Sequence, residues 1–227
     1  MKRVVLQFLA FVVGVTAFAV SGSALAQSGN RQGKYEFSLS PIWTQGGTYN
    51  FSNGASAKTD VGWGLGLNWA YNFTNNLSAG IEASWGSADY HATVAPGTGA
   101  PGFRTYDSSI DTGLLRAVGT YNFMQNQFTP FVTGGLGAVY INTNIPTGPT
   151  VPVCWWYPYW GYVCGGSTPT KSATEFTYNA GVGIRWDAPR PNSFFFRGLY
   201  NREWVDFGGY AGTIGWNQFR LDFGIKF

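Results

Sequence analysis

Few residues of this chain belong to the types that perform catalysis. It contains one histidine, His91, and a separate Asp107-Ser108-Ser109 sequence. A serine, a histidine and an acid together could supply a nucleophile and its base, which makes acyl-transfer chemistry one hypothesis. A single histidine in a loop is common by chance, and the surrounding sequence does not resemble lipid-modifying enzymes. We therefore predict no enzyme activity and no catalytic residues.

The only two cysteines, Cys154 and Cys164, enclose an aromatic segment, "CWWYPYWGYVC". In an oxidising compartment such a pair predicts a disulfide. Two cysteines and the distant His91 make a poor zinc site, so we expect no metal and no cofactor. The six aromatic residues either pack together as a cap or form a surface for adhesion, a ligand or lipid headgroups. They are Trp155, Trp156, Tyr157, Tyr159, Trp160 and Tyr162.

Residues 1–26 have the features of a secretory signal peptide. A basic start, Lys2-Arg3, is followed by an apolar stretch and by "ALA" at 24–26, which matches an A-x-A cleavage pattern. We predict cleavage here, followed by a barrel domain at 27–227. Loss of Lys2 and Arg3 leaves 12 of the 14 basic residues against 11 acidic ones, a charge of about +1. Nothing in this balance indicates a nucleic-acid partner.

The composition excludes a disordered chain and an ordinary soluble surface. Of the 227 residues, 18% are aromatic, 11% are charged and 32 are glycine. This chain is too aromatic to be disordered and too poor in charge for a typical soluble surface. After the signal segment no apolar stretch reaches about 18 residues, so we expect no transmembrane helix.

Eight stretches alternate between large apolar residues and small or polar ones. The clearest is "DVGWGLGLNWAYNF", in which Trp63, Leu65 and Leu67 share one face. Because side chains alternate across a strand, each stretch predicts a β-strand with one apolar face. The predicted strands are Lys34–Trp43, Asp60–Phe73, Leu77–Trp85, Ile110–Phe123, Phe128–Asn142, Phe176–Trp186, Phe194–Trp204 and Phe219–Phe227.

The connections and faces favour a membrane barrel over a soluble sandwich. The apolar faces are unusually aromatic, and the opposite faces are rich in glycine with isolated charges. Connections after strands 2, 4 and 6 are short and the others are longer, which is typical of an outer-membrane barrel. A strand of about ten residues, tilted by about 40°, spans roughly 25 Å of apolar band. We predict an all-β fold, an eight-stranded antiparallel up-and-down transmembrane β-barrel.

Three segments resemble the OmpA-like beta-barrel outer-membrane protein superfamily: "TPFVTGGLGAVY" (129–140), "FTYNAGVGIRW" (176–186) and "FRLDFGIKF" (219–227). The resemblance covers nearly all of the mature chain, and we expect no peptidoglycan-binding domain. It implies an integral outer-membrane location, periplasmic termini, and contact with outer-membrane lipid and lipopolysaccharide. In that family the last strand resembles the signal read by the barrel assembly machinery. The matching residues here are Phe219, Leu221, Phe223, Ile225 and Phe227.

Charged residues on the glycine-rich faces are expected inside the barrel. Isolated charges in a narrow space are costly, so we predict that they pair with one another and fill the lumen. The alternative is an ion path or gate, with Glu82, Arg116 and Arg185 at mid-depth. The predicted lumen network is Glu36, Asp60, Glu82, Arg116, Arg185, Arg197, Arg220 and Asp222; Glu203 and Lys226 also point inward.

The sequence therefore predicts a non-catalytic envelope protein. Its leading role is structural or adhesion-type, with extracellular loops that contact another surface or a protein ligand. The alternative is a small low-conductance pore, or a lateral route through the barrel wall for small apolar solutes.

Overall fold

The computed structural model describes most of the chain after residue 30. Within this part the chain forms β-strands, and no helix there is long and apolar enough to span a membrane. The predicted signal peptide at 1–26 lies outside the described residues. The described ranges are 31–50, 56–94, 104–146, 150–157, 159, 161–189, 193–207 and 212–227.

Eight antiparallel strands form a closed barrel, as the alternation predicts. The first and last barrel strands pair from Glu36–Lys226 to Thr44–Gln218, which closes the ring. Closure pairs the backbone groups that lipid could not satisfy. The described strands are β1 (Tyr35–Thr44), β2 (Gly47–Asn50), β3 (Ser56–Thr59), β4 (Gly62–Asn72), β5 (Leu77–Val94), β6 (Arg104–Asn122), β7 (Phe128–Pro146), β8 (Val151–Tyr157), β9 (Gly161–Ser167), β10 (Thr170–Asp187), β11 (Phe194–Asp206) and β12 (Thr213–Lys226).

The long connections contain more strand than the sequence predicts. The β2–β3 and β8–β9 hairpins lie within them, and the other eight strands form the barrel. The strands β5, β6, β7 and β10 are 18 or 19 residues long and extend further toward these connections than the strands predicted for them. Past the apolar band the two faces of a strand no longer differ in environment, so the alternation that predicts strands fades there. We call the end of the barrel that carries the long connections the loop end. The end that carries the short connections is the turn end.

The outer face of the barrel is an apolar band with aromatic residues at both ends. At the loop end the rings of Trp43 and Trp63 lie 5.2 Å apart, and at the turn end Tyr35 and Phe227 lie 6.1 Å apart. Rings with polar tips favour a membrane–water boundary. Side chains exposed between these girdles include Leu39, Leu65, Trp69, Ile81, Leu115, Leu136, Val182, Leu221 and Phe223.

Glycines on the inner face make room for two phenylalanine rings. A Cβ placed on Gly224 would lie 2.2 Å from Cζ of Phe195, and one on Gly183 would lie 2.6 Å from Cζ of Phe131. Both rings are buried. The glycine-dense faces thus leave space that aromatic side chains fill in a narrow barrel.

We expect the substitution Gly224→Ala to lower the free energy of unfolding by about 1–3 kcal/mol, because the added methyl overlaps the buried Phe195 ring. Urea titration of the protein folded in lipid vesicles measures this change. Gly198→Ala is the matched control, since its nearest neighbour would be Cδ2 of Leu221 at an ordinary 3.9 Å. Equal stability of the two variants would contradict the packing described here.

Candidate functional site

The lumen near the turn end is filled by a network of ion pairs. The guanidinium of Arg185 contacts both carboxylate oxygens of Glu36, at 2.6 and 3.0 Å. It also binds Asp187, whose Oδ1 lies 2.7 Å from Nζ of Lys226. These four side chains are buried. Charges withdrawn from water in this way are stable only when their partners lie with them.

Arg31, just before β1, closes this end of the lumen. Its Nε donates to Asp187 at 2.8 Å, and its side chain has no exposed surface. Its two Nη groups donate to three backbone carbonyls, those of Asn75, Met124 and Asn126, at 3.0–3.1 Å. One side chain therefore connects the segment before β1 to two of the short turns and to the end of β10. We call Arg31 and the four residues above the turn-end layer.

A second set of ion pairs crosses the lumen further up. Glu82 accepts from Arg116 at 2.8 Å and from Arg220 at 2.5 Å. Arg116 also binds Glu203, and Arg220 lies 3.3 Å from Asp222. We call these five residues, together with Arg197, the middle layer. Arg197 joins it through Asp222, at 2.9 Å.

Aromatic packing joins the two layers. The ring of Phe195 lies 4.4 Å from the guanidinium carbon of Arg185 and 5.1 Å from that of Arg197. Cations over a ring face are attracted to it. The buried charged residues among those described number six positive and five negative, so the charges nearly cancel. Paired charges and packed rings therefore fill the lower lumen.

Above the middle layer the lumen changes to an apolar cavity of about 720 Å³. Val139 and Ile141 of β7 are buried in its wall, and Glu203 lies in its lining beside the middle layer. Other apolar residues of the lining are Ile110, Leu114, Phe207, Ile214 and Trp216. Polar groups such as Thr59, Thr143 and Lys171 also line it. Apolar side chains inside a barrel lumen are unusual, because lumens of this class are generally polar.

The strand pairing that forms the wall of the cavity ends earlier on the β11 side of β10 than on its β7 side. The ladder between β10 and β11 begins only at Phe176–Asp206, so Thr170–Glu175 extend past the end of β11. Residues of this segment line the cavity, as does Phe207 directly after β11. On its other side the segment stays paired with β7. Among the residues that the structure describes, which leave out 208–211, the cavity wall on the β11 side thus lacks the ladder that closes the barrel below.

The β8–β9 hairpin presents aromatic side chains and contains the predicted disulfide, Cys154–Cys164. Trp156, Tyr159 and Tyr162 are exposed. The backbones of Trp155 and Tyr157 belong to β8. Trp160, the sixth aromatic residue of the predicted contact set, lies outside the described residues.

His91 lies at the rim of the loop end, between two carboxylates. Its Nδ1 donates to Asp107 at 2.6 Å, and its Nε2 lies 3.5 Å from Asp60. The hydrogen bond to Asp107 raises the pKa of His91 above its ordinary value. Ser108 instead donates to the Thr143 carbonyl. The structure therefore does not place a serine hydroxyl on His91.

The sequence matches the family described as "Outer membrane protein beta-barrel domain" over residues 11–227. The chain belongs to this family. It is an integral protein of the bacterial outer membrane, and the apolar band with its two girdles is the surface that meets lipid. No curated protein sequence matches it.

Solved structures of similar proteins share the barrel fold. OprG of Pseudomonas aeruginosa is 12% identical, with a TM-score of 0.50 over 88% of this chain and 98% of that one. Neisserial surface protein A (NspA) is 16% identical, with a TM-score of 0.47 over 86% and 96%. Ail of Yersinia pestis, solved with the heparin analogue sucrose octasulfate, is 15% identical, with a TM-score of 0.45 over 86% and 99%.

Seven of the eight residues predicted for the lumen network of this outer-membrane barrel lie buried in the two layers. Asp60 does not: it precedes β4, its side chain is 50% exposed, and it faces His91. The alternation correctly gives its direction, but Asp60 lies above the two layers and lines the loop-end cavity instead of joining an ion pair within them. Arg31 and Asp187 were missed. Asp187 continues the inward spacing of Arg185 by two residues, whereas Arg31 precedes β1 and follows no pattern.

We expect Glu82→Gln to lower the free energy of unfolding of the barrel by about 3 kcal/mol, because Arg116 and Arg220 both lose a buried carboxylate. Asp60→Asn, the same change of charge at an exposed pair, should cost less than about 0.5 kcal/mol. Urea titration in lipid vesicles compares the two. If they cost the same, the lumen network contributes nothing beyond a surface pair.

Proposed function

We propose that this outer-membrane barrel takes up small apolar molecules into its loop-end cavity. The observation that carries this proposal is the apolar lining of the upper lumen above a lower lumen filled with paired charge. Apolar surface in contact with water costs roughly 25 cal/mol per Å², so an apolar guest that displaces this water is favoured. A cavity of about 720 Å³ also falls within the usual size of small-molecule sites.

The route of such a molecule is lateral rather than through the lumen. The middle layer and the turn-end layer lie below the cavity, and their charged groups offer an apolar molecule no favourable contact. In the described part of the chain, the ladder between β10 and β11 stops beside the cavity, just above the aromatic residues Phe176 and Trp204. We propose that guests leave there toward the bilayer. This proposal keeps the lateral route of the sequence hypothesis and sets aside the low-conductance pore.

A second role, contact with another surface, is favoured by the β8–β9 hairpin. Its disulfide fixes the two strands, so little conformational freedom is lost when a partner binds. Exposed tryptophan and tyrosine are the side chains that dominate many contact sites. The loop-mediated, adhesion-type role predicted from the sequence is therefore retained as a role of this hairpin, with another surface or a protein as its contact. The predicted contact with lipopolysaccharide is assigned to the lipid-facing wall of the barrel.

We propose no catalytic role, since His91 faces two carboxylates and no serine. We also propose that residues 1–26 are a cleaved signal peptide and that both termini face the periplasm. Phe219, Leu221, Phe223, Ile225 and Phe227, all exposed on the outer face of β12 and its end, would present the sorting signal to the assembly machinery.

We expect Ala88→Phe, which fills part of the cavity, to weaken the binding of naphthalene at least tenfold, or about 1.4 kcal/mol. Methyl NMR of the protein in nanodiscs measures this, through saturable shifts of Ile110, Leu114, Val139 and Ile141. Ala79→Phe is the control, because it makes the same change on the outer face of β5. Saturable shifts confined to lipid-facing methyls such as those of Ile81 would contradict the proposal.

A further inference from the structure

Three aromatic side chains that the structure describes in the β8–β9 hairpin are exposed at its tip. Trp156 pairs with Tyr162 one step before the last ladder pair, and Tyr159 lies in the turn. Their exposed fractions are 60%, 78% and 95%. Two residues further from the tip, the same face carries the Cys154–Cys164 disulfide. The hairpin is therefore cross-linked by the disulfide and carries exposed aromatic side chains at its end.

The tip offers no charge to a partner. The sequence between Arg116 and Lys171 contains no lysine, arginine, histidine, aspartate or glutamate. Charged partners are usually recognised through opposite charge, which also speeds their association. Phosphate-rich and sulfate-rich surfaces therefore find no counter-charge on this hairpin. The fitting partner carries no net charge.

Tryptophan and tyrosine combine an apolar ring with a polar tip, and they favour the boundary between hydrocarbon and water. The barrel uses the same residue types in its own girdles, for example Trp43 and Trp63. A platform for a flat ligand would spread along the hairpin face. The three rings that the structure describes instead lie within the turn and two ladder steps of it, an arrangement that suits shallow insertion into a lipid interface.

The strands that carry the hairpin rise above the membrane that holds the barrel. Tyr140 of β7 lies at the loop-end girdle, and the pairing of β7 with β10 continues to Pro146–Thr170. These six further residues correspond to about 20 Å of strand. The base of the hairpin thus lies away from the barrel's own bilayer, which favours a second membrane as the surface that the tip meets.

We propose that the tip formed by Trp156, Tyr159 and Tyr162 docks on the net-neutral phospholipid surface of an apposed membrane. This inference rests on the contact role proposed above for the hairpin and is independent of the cavity. The disulfide holds the rings together, so that they enter the interface as one unit without prior ordering.

The test is co-flotation of the full barrel in nanodiscs with phosphatidylcholine vesicles. We expect wild-type protein to float with the vesicles, equally at low and high salt. The triple variant W156A/Y159A/Y162A should lose at least tenfold in vesicle-bound fraction, whereas W156F/Y159F/Y162F, which keeps the rings, should retain most of it. Heat-modifiable electrophoretic mobility confirms that each variant is folded.

Three results would overturn the lipid assignment: wild-type protein that does not float, equal flotation of the alanine variant, or binding that needs anionic lipid and is lost in salt. A parallel assay separates this failure from failure of the contact role. If wild-type protein does not bind vesicles but binds cells or protein-coated surfaces in a ring-dependent way, the hairpin is a contact site for another partner. If neither assay depends on the rings, both proposals fail.

Discussion

Pairing of charge within the lumen is the constraint on which the rest of this barrel depends. An outer face of aromatic and aliphatic side chains meets lipid, so the polar groups of the chain have to lie inside, where little water remains. Arg185 with Glu36, and Glu82 between Arg116 and Arg220, meet that demand with direct contacts. Glycines on the inner face then leave the volume that these long side chains and Phe195 require.

The charge network also divides the lumen into two environments. Below Glu203 the space is filled and nearly neutral, and above it the same strands present valine, isoleucine and leucine to an open cavity. β7 shows the change along one strand: Phe131 packs inside near the turn end, while Val139 and Ile141 line the cavity. This explains why both faces of β7 are apolar in sequence. The proposed uptake of apolar molecules follows from this division.

Much of the fold could be predicted because lipid outside and polar contents inside impose a period of two on every barrel strand. The shared outer face of Trp63 and Leu65, and the disulfide, were predicted correctly. The loop-end strands were missed, since neither face of those segments meets lipid. The cavity could not be predicted either, because it depends on how Ile110, Val139 and Trp216 converge from strands far apart in sequence. The place of Arg31 in the lumen could not be predicted for the same reason, because its partners come from three separate segments of the chain.

Planar-bilayer recording of the purified wild-type barrel tests the central claim, a lumen closed by paired charge, most directly. We expect a current that stays at the level of a protein-free bilayer, while a general porin inserted in parallel conducts. Reproducible conductance steps from the wild-type protein would show an ion path through both layers and would contradict the account.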